Sequence, residues 1–357
     1  MTTLSPATAG STPASVPGAR ARATMRDVAE RAGVSIKTVS RVVNRERGVS
    51  AVLAERVHAA ARELSYQPDL TAGNLRRSGR RTASIGLLLA SVDNPFAATI
   101  HRAVEDVAER RGVAVFSAST DERPDREREL VSAFTSRRVD GLIITPTGVD
   151  QRYLLPELEA GTPVVMVDRP PVAVDLDHVL SDNPDGARTA TSHLLAGGHR
   201  RIAYLGDLAH IATAAERHDG YLQAMAAAGV ALDPALVLED VHNEQSALEA
   251  TLRLLALPEP PTAIFASQNL ITIGTIRALR ARGRQHDVAL VGFDDFVLAD
   301  LLDPAVTVVA QDPGEIGRAA AERIFARLDD PTLPAEWITV PTRLVVRGSG
   351  EIPPHRA

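Results

Sequence analysis

Apolar positions along the chain change their period at two places. Between Thr24 and Asn44 (TMRDVAERAGVSIKTVSRVVN) they recur at helical spacing in two short runs, Val28, Ala29 and Ala32, then Val39, Val42 and Val43, with Gly33 between them. Steps of three and four put each set on one side of a helix, and a glycine between such runs breaks the helix. Thr24 followed by Asp27 has the spacing of a capping box, and Ser35 is a residue type that caps a second helix. The pattern predicts two short helices joined by a tight turn. Leu53, Val57, Ala60 and Leu64 form a third stripe, opened by Val49 and Ser50 and ended by Pro68, which closes a three-helix unit. From Ser84 the texture changes to apolar runs of strand length, IGLLLA, VAVFSA, DGLIIT, PVVMVD, HVLSD, RIAYLG, TAIFAS and VALVGF, separated by helical patterns. Strands alternating with helices predict a parallel α/β architecture.

The second short helix carries chemistry on its polar side. Lys37 and Arg41 are four residues apart and share an outward face, with Ile36, Ser40 and Asn44 nearby. A small basic helix presented this way fits a DNA major groove. Spacing alone fits an ordinary helical hairpin with a solvated charged face equally well. Charge changes that balance: Arg20 to Arg81 hold 14 basic and 6 acidic residues, a net of +8, in a chain whose formal charge is -6, so the remainder stands at -14. Such asymmetry marks a nucleic-acid module joined to something else, and the acidic remainder would repel DNA and confine contact to the basic end.

A chain of 357 residues with 45% hydrophobic content has room for two or three domains with real cores. It has no cysteine, which excludes disulfides and thiolate-bound metal. There is no apolar run of membrane length, and residues 1 to 23, rich in Ser, Thr, Ala, Pro and Gly, lack the pattern of a signal peptide. The expectation is a cytoplasmic protein with no membrane partner and a disordered tail over 1–23. Walker-type, G-x-S-x-G and H-E-x-x-H motifs are missing, and His178, His193 and His199 lack metal-ligand spacing. No enzyme activity, metal or cofactor is therefore expected. A hydrolase or kinase acting on sugars and the solute-binding protein of a transporter are the competing classes, the latter opposed by the basic amino-terminal unit.

The run DVAERAGVSIKTVSRVVN, followed by VSAVLAERVHAAARELSYQPDLTAGNLR and SIGLLL, resembles the lactose-repressor (LacI/GalR) family of bacterial transcription regulators, over nearly all of the chain after residue 23. That resemblance implies an α/β fold class with a helix-turn-helix headpiece (24–68), a hinge helix and linker (69–83), and a periplasmic-binding-protein-like effector and dimerisation domain (84–346). Its two subdomains would comprise about 84–181 plus 310–332, and 182–309 plus 333–346, with a tail at 347–357. The implied partners are double-stranded operator DNA of pseudopalindromic sequence, a second copy of the chain and a small-molecule effector. Ile36, Lys37 and Arg41 match the family's base-reading positions. Thr24, Ser35, Thr38, Ser40 and Asn44 are short donors suited to phosphates. Leu75 falls at the position of a minor-groove wedge with Arg76 beside it, and Gly73 would disfavour the hinge helix off DNA.

Ligands of such α/β folds lie beyond the carboxyl ends of the strands. Those ends supply Asp93 and Phe96 after the first strand, then Arg217, His242, Gln268 and Asp294. Carboxylate, guanidinium and amide groups converging on one cleft suit a polyhydroxylated ligand, which needs donors and acceptors together. By resemblance Arg217 and Asp294 match the family's effector-binding arginine and aspartate. The chain departs from its relatives at Ala97, where a second aromatic is usual, at His242, where an aromatic often stands, and at Gln268-Asn269, where Asn-Asp is usual. With 3% aromatic residues, stacking partners are few, which favours a sugar or sugar derivative over a purine.

Overall fold

A computed structural model of the chain describes residues 23–43, 46, 48–66, 81–148 and 150–354. They belong to two units, one ending at Thr82 and the other starting at Ala83.

In the first unit, helix α1 (Met25–Ala32) starts at Thr24 with both halves of the capping box formed and ends at Gly33 in the left-handed conformation, φ 63°. A β-carbon is disfavoured at that angle, which is why a glycine stands there. Helix α2 (Ile36–Val43) starts at Ser35, whose Oγ accepts from the Thr38 N–H at 3.1 Å. Helix α3 (Ala51–Glu63) is capped by Ser50. The three bury Val28, Ala29, Ala32, Val39, Val42, Val57 and Ala60 in one cluster, with Leu64 and Val43 half-buried around it. Arg56 donates to the Ala32 carbonyl at 2.6 Å and so ties α3 to the last turn of α1.

The second unit holds two sheets. The first contains β1 (Ser84–Leu89), β2 (Ala114–Ser119), β3 (Leu142–Ile144), β4 (Val164–Val167), β5 (Asp177–Ser181) and β11 (Trp337–Val340), in the order β11-β5-β4-β3-β1-β2 and parallel throughout. The second contains β6 (Ile202–Leu205), β7 (Val237–Leu238), β8 (Ala263–Ala266), β9 (Ala289–Phe293), β10 (Thr307–Ala310) and β12 (Arg343–Val345), in the order β12-β10-β9-β8-β6-β7, with β12 antiparallel. Both sheets reverse their winding next to their first strand, between β1 and β3 and between β6 and β8. Crevices form outside the carboxyl ends of strands at such points.

Helices cover both sheets: α4 (Pro95–Arg110), α5 (Pro124–Ser136), α6 (Leu155–Glu159) and α11 (Pro313–Asp329) on the first, and α7 (Asn183–Ala196), α8 (Ala212–Ala227), α9 (Glu244–Leu255) and α10 (Asn269–Ala281) on the second. Separate apolar clusters fill the two faces of each sheet. Three helix pairs touch at a glycine. A β-carbon on Gly220 of α8 would meet the Pro184 carbonyl of α7 at 2.4 Å, one on Gly274 of α10 the Glu244 carbonyl of α9 at 2.3 Å, and one on Gly317 of α11 the Ile100 carbonyl of α4 at 2.5 Å. Among the described residues no helix is long and apolar enough to cross a membrane.

Two expected boundaries need correction. The segment 333–346 does not belong to the second subdomain alone: Trp337–Val340 adds to the edge of the first sheet along His178–Ser181, and only Arg343–Val345 joins the second. A buried ion-pair network holds the strand there. Asp177 on β5 accepts from Arg323 at 2.7 Å, from Arg327 at 2.6 Å and from the Glu336 N–H at 2.8 Å, while Arg323 also pairs with the Glu336 carboxylate. The expected tail at 347–357 is packed as far as it is described. Ser349 is buried and donates to the Leu290 carbonyl at 2.6 Å, and His199 bonds the Ile352 carbonyl at 2.9 Å. A short polar run reads as a tail when its hydrogen-bond partners lie far away in the sequence.

Candidate functional site

On α2, Ile36 is 46% exposed, Lys37 projects to solvent, and Val39 and Val42 point into the core. The face that carries Ile36, Lys37 and Arg41 is thus the one that the apolar stripe does not use. The Arg41 guanidinium lies 3.6 Å from the Glu46 carboxylate, an exposed pair that a base edge could displace at small cost. The short donors are less free than their types imply. The Thr24 hydroxyl donates to Asp27 at 2.8 Å within the capping box, and the Ser35 and Thr38 hydroxyls pair with each other at 2.9 Å. Ser40 is half-buried on the same helix. Asn44, Gly73, Leu75 and Arg76 lie outside the described residues.

Between the two sheets of the second unit lies a cleft of about 390 Å³. Asp93, Phe96, Arg217, His242, Gln268 and Asp294 all line it, so the structure brings together every candidate that the strand ends supply. The first sheet contributes Asp93 and Phe96 through α4, whose N-cap Asn94 accepts from the Phe96 N–H at 3.0 Å and fixes the ring's approach. Arg217 is buried on α8: Nε donates to Asn183, Nη1 donates to the Ser267 carbonyl, both at 2.8 Å, and the guanidinium lies 4.0 Å over the Phe293 ring. Its Nη2 has no hydrogen-bond partner among the described residues. Asp294 follows β9 in the left-handed conformation, φ 69°, and accepts from Gln311. Aspartate tolerates that conformation better than most residues.

The cleft also holds residues that the strand-end pattern does not single out. Asp168 follows β4 as Asp294 follows β9, with the same φ of 69°. Its neighbour Arg169 is buried and gripped by Glu122 through two bonds of 2.7 and 2.6 Å. Burial pushes the Asp168 carboxyl up from its ordinary value, against the pull of Arg169 and Arg217. Gln311 and Asp207 also line the cleft. One signal for Asp168 does stand in the sequence: VVMVD and LVGFD share a strand-end pattern, although only the second aspartate is among the expected site residues. Across the cleft the Asn269 amide donates to Asn94 Oδ1 at 3.0 Å. Because Asn94 Oδ1 already accepts from Phe96, a carboxylate at position 269 could not make that bond, which gives the departure from Asn-Asp a structural meaning.

His242 and Gln268 meet on Asp207. The carboxylate takes His242 Nδ1 at 2.6 Å, the Leu208 N–H at 2.7 Å and Gln268 Nε2 at 3.2 Å. The Asp207 hydrogen bond holds the His242 pKa above its ordinary value, with partial burial opposing. A histidine whose folded pKa is raised adds stability that is complete below its unfolded pKa, near about 6.5, and is lost as pH rises through the folded value. We therefore expect His242→Gln to lower the melting temperature more at pH 6 than at pH 9, read by thermal unfolding. An equal decrease at both pH values would mean that the pair is not linked to folding.

Comparison with known proteins places both units. Residues 24–69 match the family described as bacterial regulatory proteins, lacI family, and residues 191–350 match the periplasmic binding protein-like domain. The ribose operon repressor of Halalkalibacterium halodurans is 34% identical over 326 residues, covering 91% of this chain and 96% of that protein. The HTH-type transcriptional repressor PurR of Mannheimia succiniciproducens is 31% identical over 331 residues, covering 92% and 98%. A solved Lac repressor dimer bound to operator and the anti-inducer ONPF matches with a TM-score of 0.80 at 26% identity, over 92% of this chain and 99% of that one. A capped helix-turn-helix with an exposed basic face, joined in one chain to a two-sheet domain with a polar cleft, completes the same description: the chain belongs to the lacI family of bacterial transcription regulators.

Proposed function

We propose that the protein is a cytoplasmic, homodimeric repressor that binds a pseudopalindromic operator through α2 and is controlled by a sugar or sugar derivative held in the cleft. The observation that carries the reading is that one chain presents both parts: an exposed basic helix face backed by a core, and a cleft whose lining mixes fixed donors and acceptors. In this reading Ile36, Lys37 and Arg41 read base edges. Thr24, Ser35, Thr38, Ser40 and Asn44 face phosphates, the capped hydroxyls doing so through their spare acceptor and donor capacity or their backbone N–H groups. Leu75 and Arg76 act in a hinge spanning 69–83, and Asp93, Phe96, Arg217, His242, Gln268 and Asp294 contact the effector. The relatives named for a ribose operon support a carbohydrate ligand. Exposed Phe116, Val297, Leu298 and Leu301 offer apolar surface for a second copy. Effector binding between the subdomains alters their relation and so biases the operator-competent state.

Selection of binding sites from a random duplex library tests the reading. We expect a pseudopalindromic consensus for the wild type. For Arg41→Ala we expect preference to relax at one symmetric pair of positions, at a cost of about 1–3 kcal/mol for each base pair that the guanidinium no longer reads. Binding should weaken steeply with added salt, since phosphate contacts release counterions. An unchanged consensus for Arg41→Ala would remove the base-reading role, and failure to select any consensus would remove the function.

A further inference from the structure

His242 stands in the cleft lining beside a carboxylate, and its surroundings make a specific chemical demand. Asp207 Oδ1 takes Nδ1 of the imidazole at 2.6 Å while also accepting from the Leu208 N–H. A carboxylate that receives donors on both oxygens is an acceptor only, so Nδ1 is the nitrogen that carries hydrogen. Gln268 braces the arrangement from the other side, its Nε2 reaching Asp207 Oδ2 at 3.2 Å and the His242 carbonyl at 3.3 Å. His242 Nε2 has no hydrogen-bond partner among the described residues, and the ring, 43% exposed, lines the cleft. Charged groups that act on it from other elements are Asp207, Glu122 and Arg169.

We propose that His242, positioned by Asp207, is a specificity-determining residue whose Nε2 hydrogen-bonds one hydroxyl of the bound effector. The inference rests on the sugar reading above and extends it. When the imidazole is charged, Nε2 donates; when it is neutral with Nδ1 protonated, Nε2 accepts. A hydroxyl pairs with both states, because it is donor and acceptor at once. A carbonyl or an unprotonated ring nitrogen pairs with only the first, and an exocyclic amine with only the second. The cleft wall thus selects a hydroxyl at this point.

Calorimetric titration of the full-length protein with D-ribose, D-glucose, cellobiose and hypoxanthine, followed by deoxy analogues of whichever sugar binds, tests this. We expect wild-type affinity for the sugar to vary less than about threefold between pH 5.5 and 8.5, since the hydroxyl serves both protonation states. One deoxy analogue should bind at least about tenfold more weakly to the wild type, the usual result when a polar site is left without its hydroxyl. That penalty should vanish in His242→Phe, which should itself bind the parent sugar at least about tenfold more weakly, while His242→Gln, donor and acceptor alike, should stay within about fivefold. For Asp207→Asn the sugar affinity should fall, because the imidazole loses the carboxylate that orients it, while the pH independence should remain. Thermal unfolding of each variant shows that it is folded. Equal sugar affinity in wild type and His242→Phe would overturn the role of His242 and leave the sugar reading standing. Hypoxanthine bound in preference to all three sugars, or no sugar bound by the wild type, would overturn the sugar reading and this inference with it.

Discussion

Arg217→Ala is expected to abolish the effector response while leaving operator affinity intact. The side chain is buried, with Nε and Nη1 committed to Asn183 and the Ser267 carbonyl and the cation resting on Phe293, so Nη2 is aimed by three independent constraints. A donor held this way gives up little entropy when a ligand binds. Hydrogen bonds to charged groups contribute about 1.5–3 kcal/mol, which converts to a loss of roughly 10- to 150-fold in affinity. Truncation also leaves Asn183 and the Ser267 carbonyl short of a donor, so a lower melting temperature should accompany the weaker binding. Arg217→Lys separates the two effects: it keeps the charge but not the planar fork, and we expect it to recover stability better than affinity. Asp294→Asn tests the carboxylate on the same wall, since Gln311 can still pair with the amide oxygen while the charge is removed. Calorimetry with the sugar found for the wild type, beside fluorescence anisotropy on the selected operator, provides both readouts. Wild-type affinity for that sugar in both Arg217→Ala and Asp294→Asn would move the effector site out of this cleft.

Legibility in the sequence follows the range of the interactions. Helices α1 to α3 are specified locally, by Thr24 and Asp27, Ser35, Ser50 and Gly33, and by stripes that repeat within one or two turns, so residue types and spacing suffice to find them. The apolar runs of the parallel strands stand out because strands covered on both faces are apolar at successive positions and not at every second one. Strand β11 escapes the sequence for a different reason. Trp337–Val340 and Arg343–Val345 are separated by only Pro341 and Thr342, and nothing in that stretch says that its halves join different sheets. The decision is made at Asp177, far earlier in the chain, by the arginines of α11. The cleft divides in the same way. Arg217 and Asp294 stand in motifs, whereas Arg169 and Glu122, 47 residues apart, become a unit only once β2 and β4 lie in one sheet. Asp207 is invisible in the sequence as a partner of His242 because the two are joined by tertiary geometry alone.

Gly274→Ala is expected to destabilise the protein although it replaces a helical glycine by the best helix former, and the sign depends on which of two opposed effects is larger. Propensity favours alanine by about 1 kcal/mol. Against it, the new β-carbon would stand 2.3 Å from the Glu244 carbonyl oxygen and 2.6 Å from Ala247 Cβ. Neither neighbour is the end of a flexible side chain. One is backbone and the other a β-carbon, so α9 and α10 must move apart, and overpacking of this kind costs about 1–3 kcal/mol, occasionally more. The adjoining hydrogen bond, Thr251 Oγ1 to Thr275 Oγ1 at 3.3 Å, would lengthen with them. Packing therefore wins at alanine by a modest margin. Gly274→Val should destabilise by about 3 kcal/mol or more, because its extra methyls lack any space and β-branching adds no helical preference. The displacement also reaches function. Gln268 caps α10 and Asn269 opens it, so moving the helix shifts the amide that braces Asp207 and the one that crosses to Asn94. Equilibrium urea unfolding should thus rank wild type above Gly274→Ala above Gly274→Val, with sugar affinity falling in the same order and operator affinity holding at temperatures where all three are folded. Should Gly274→Ala prove more stable than the wild type, α9 and α10 would have to yield to a β-carbon at Gly274 without cost, and the predicted loss of sugar affinity through this contact would fall with it.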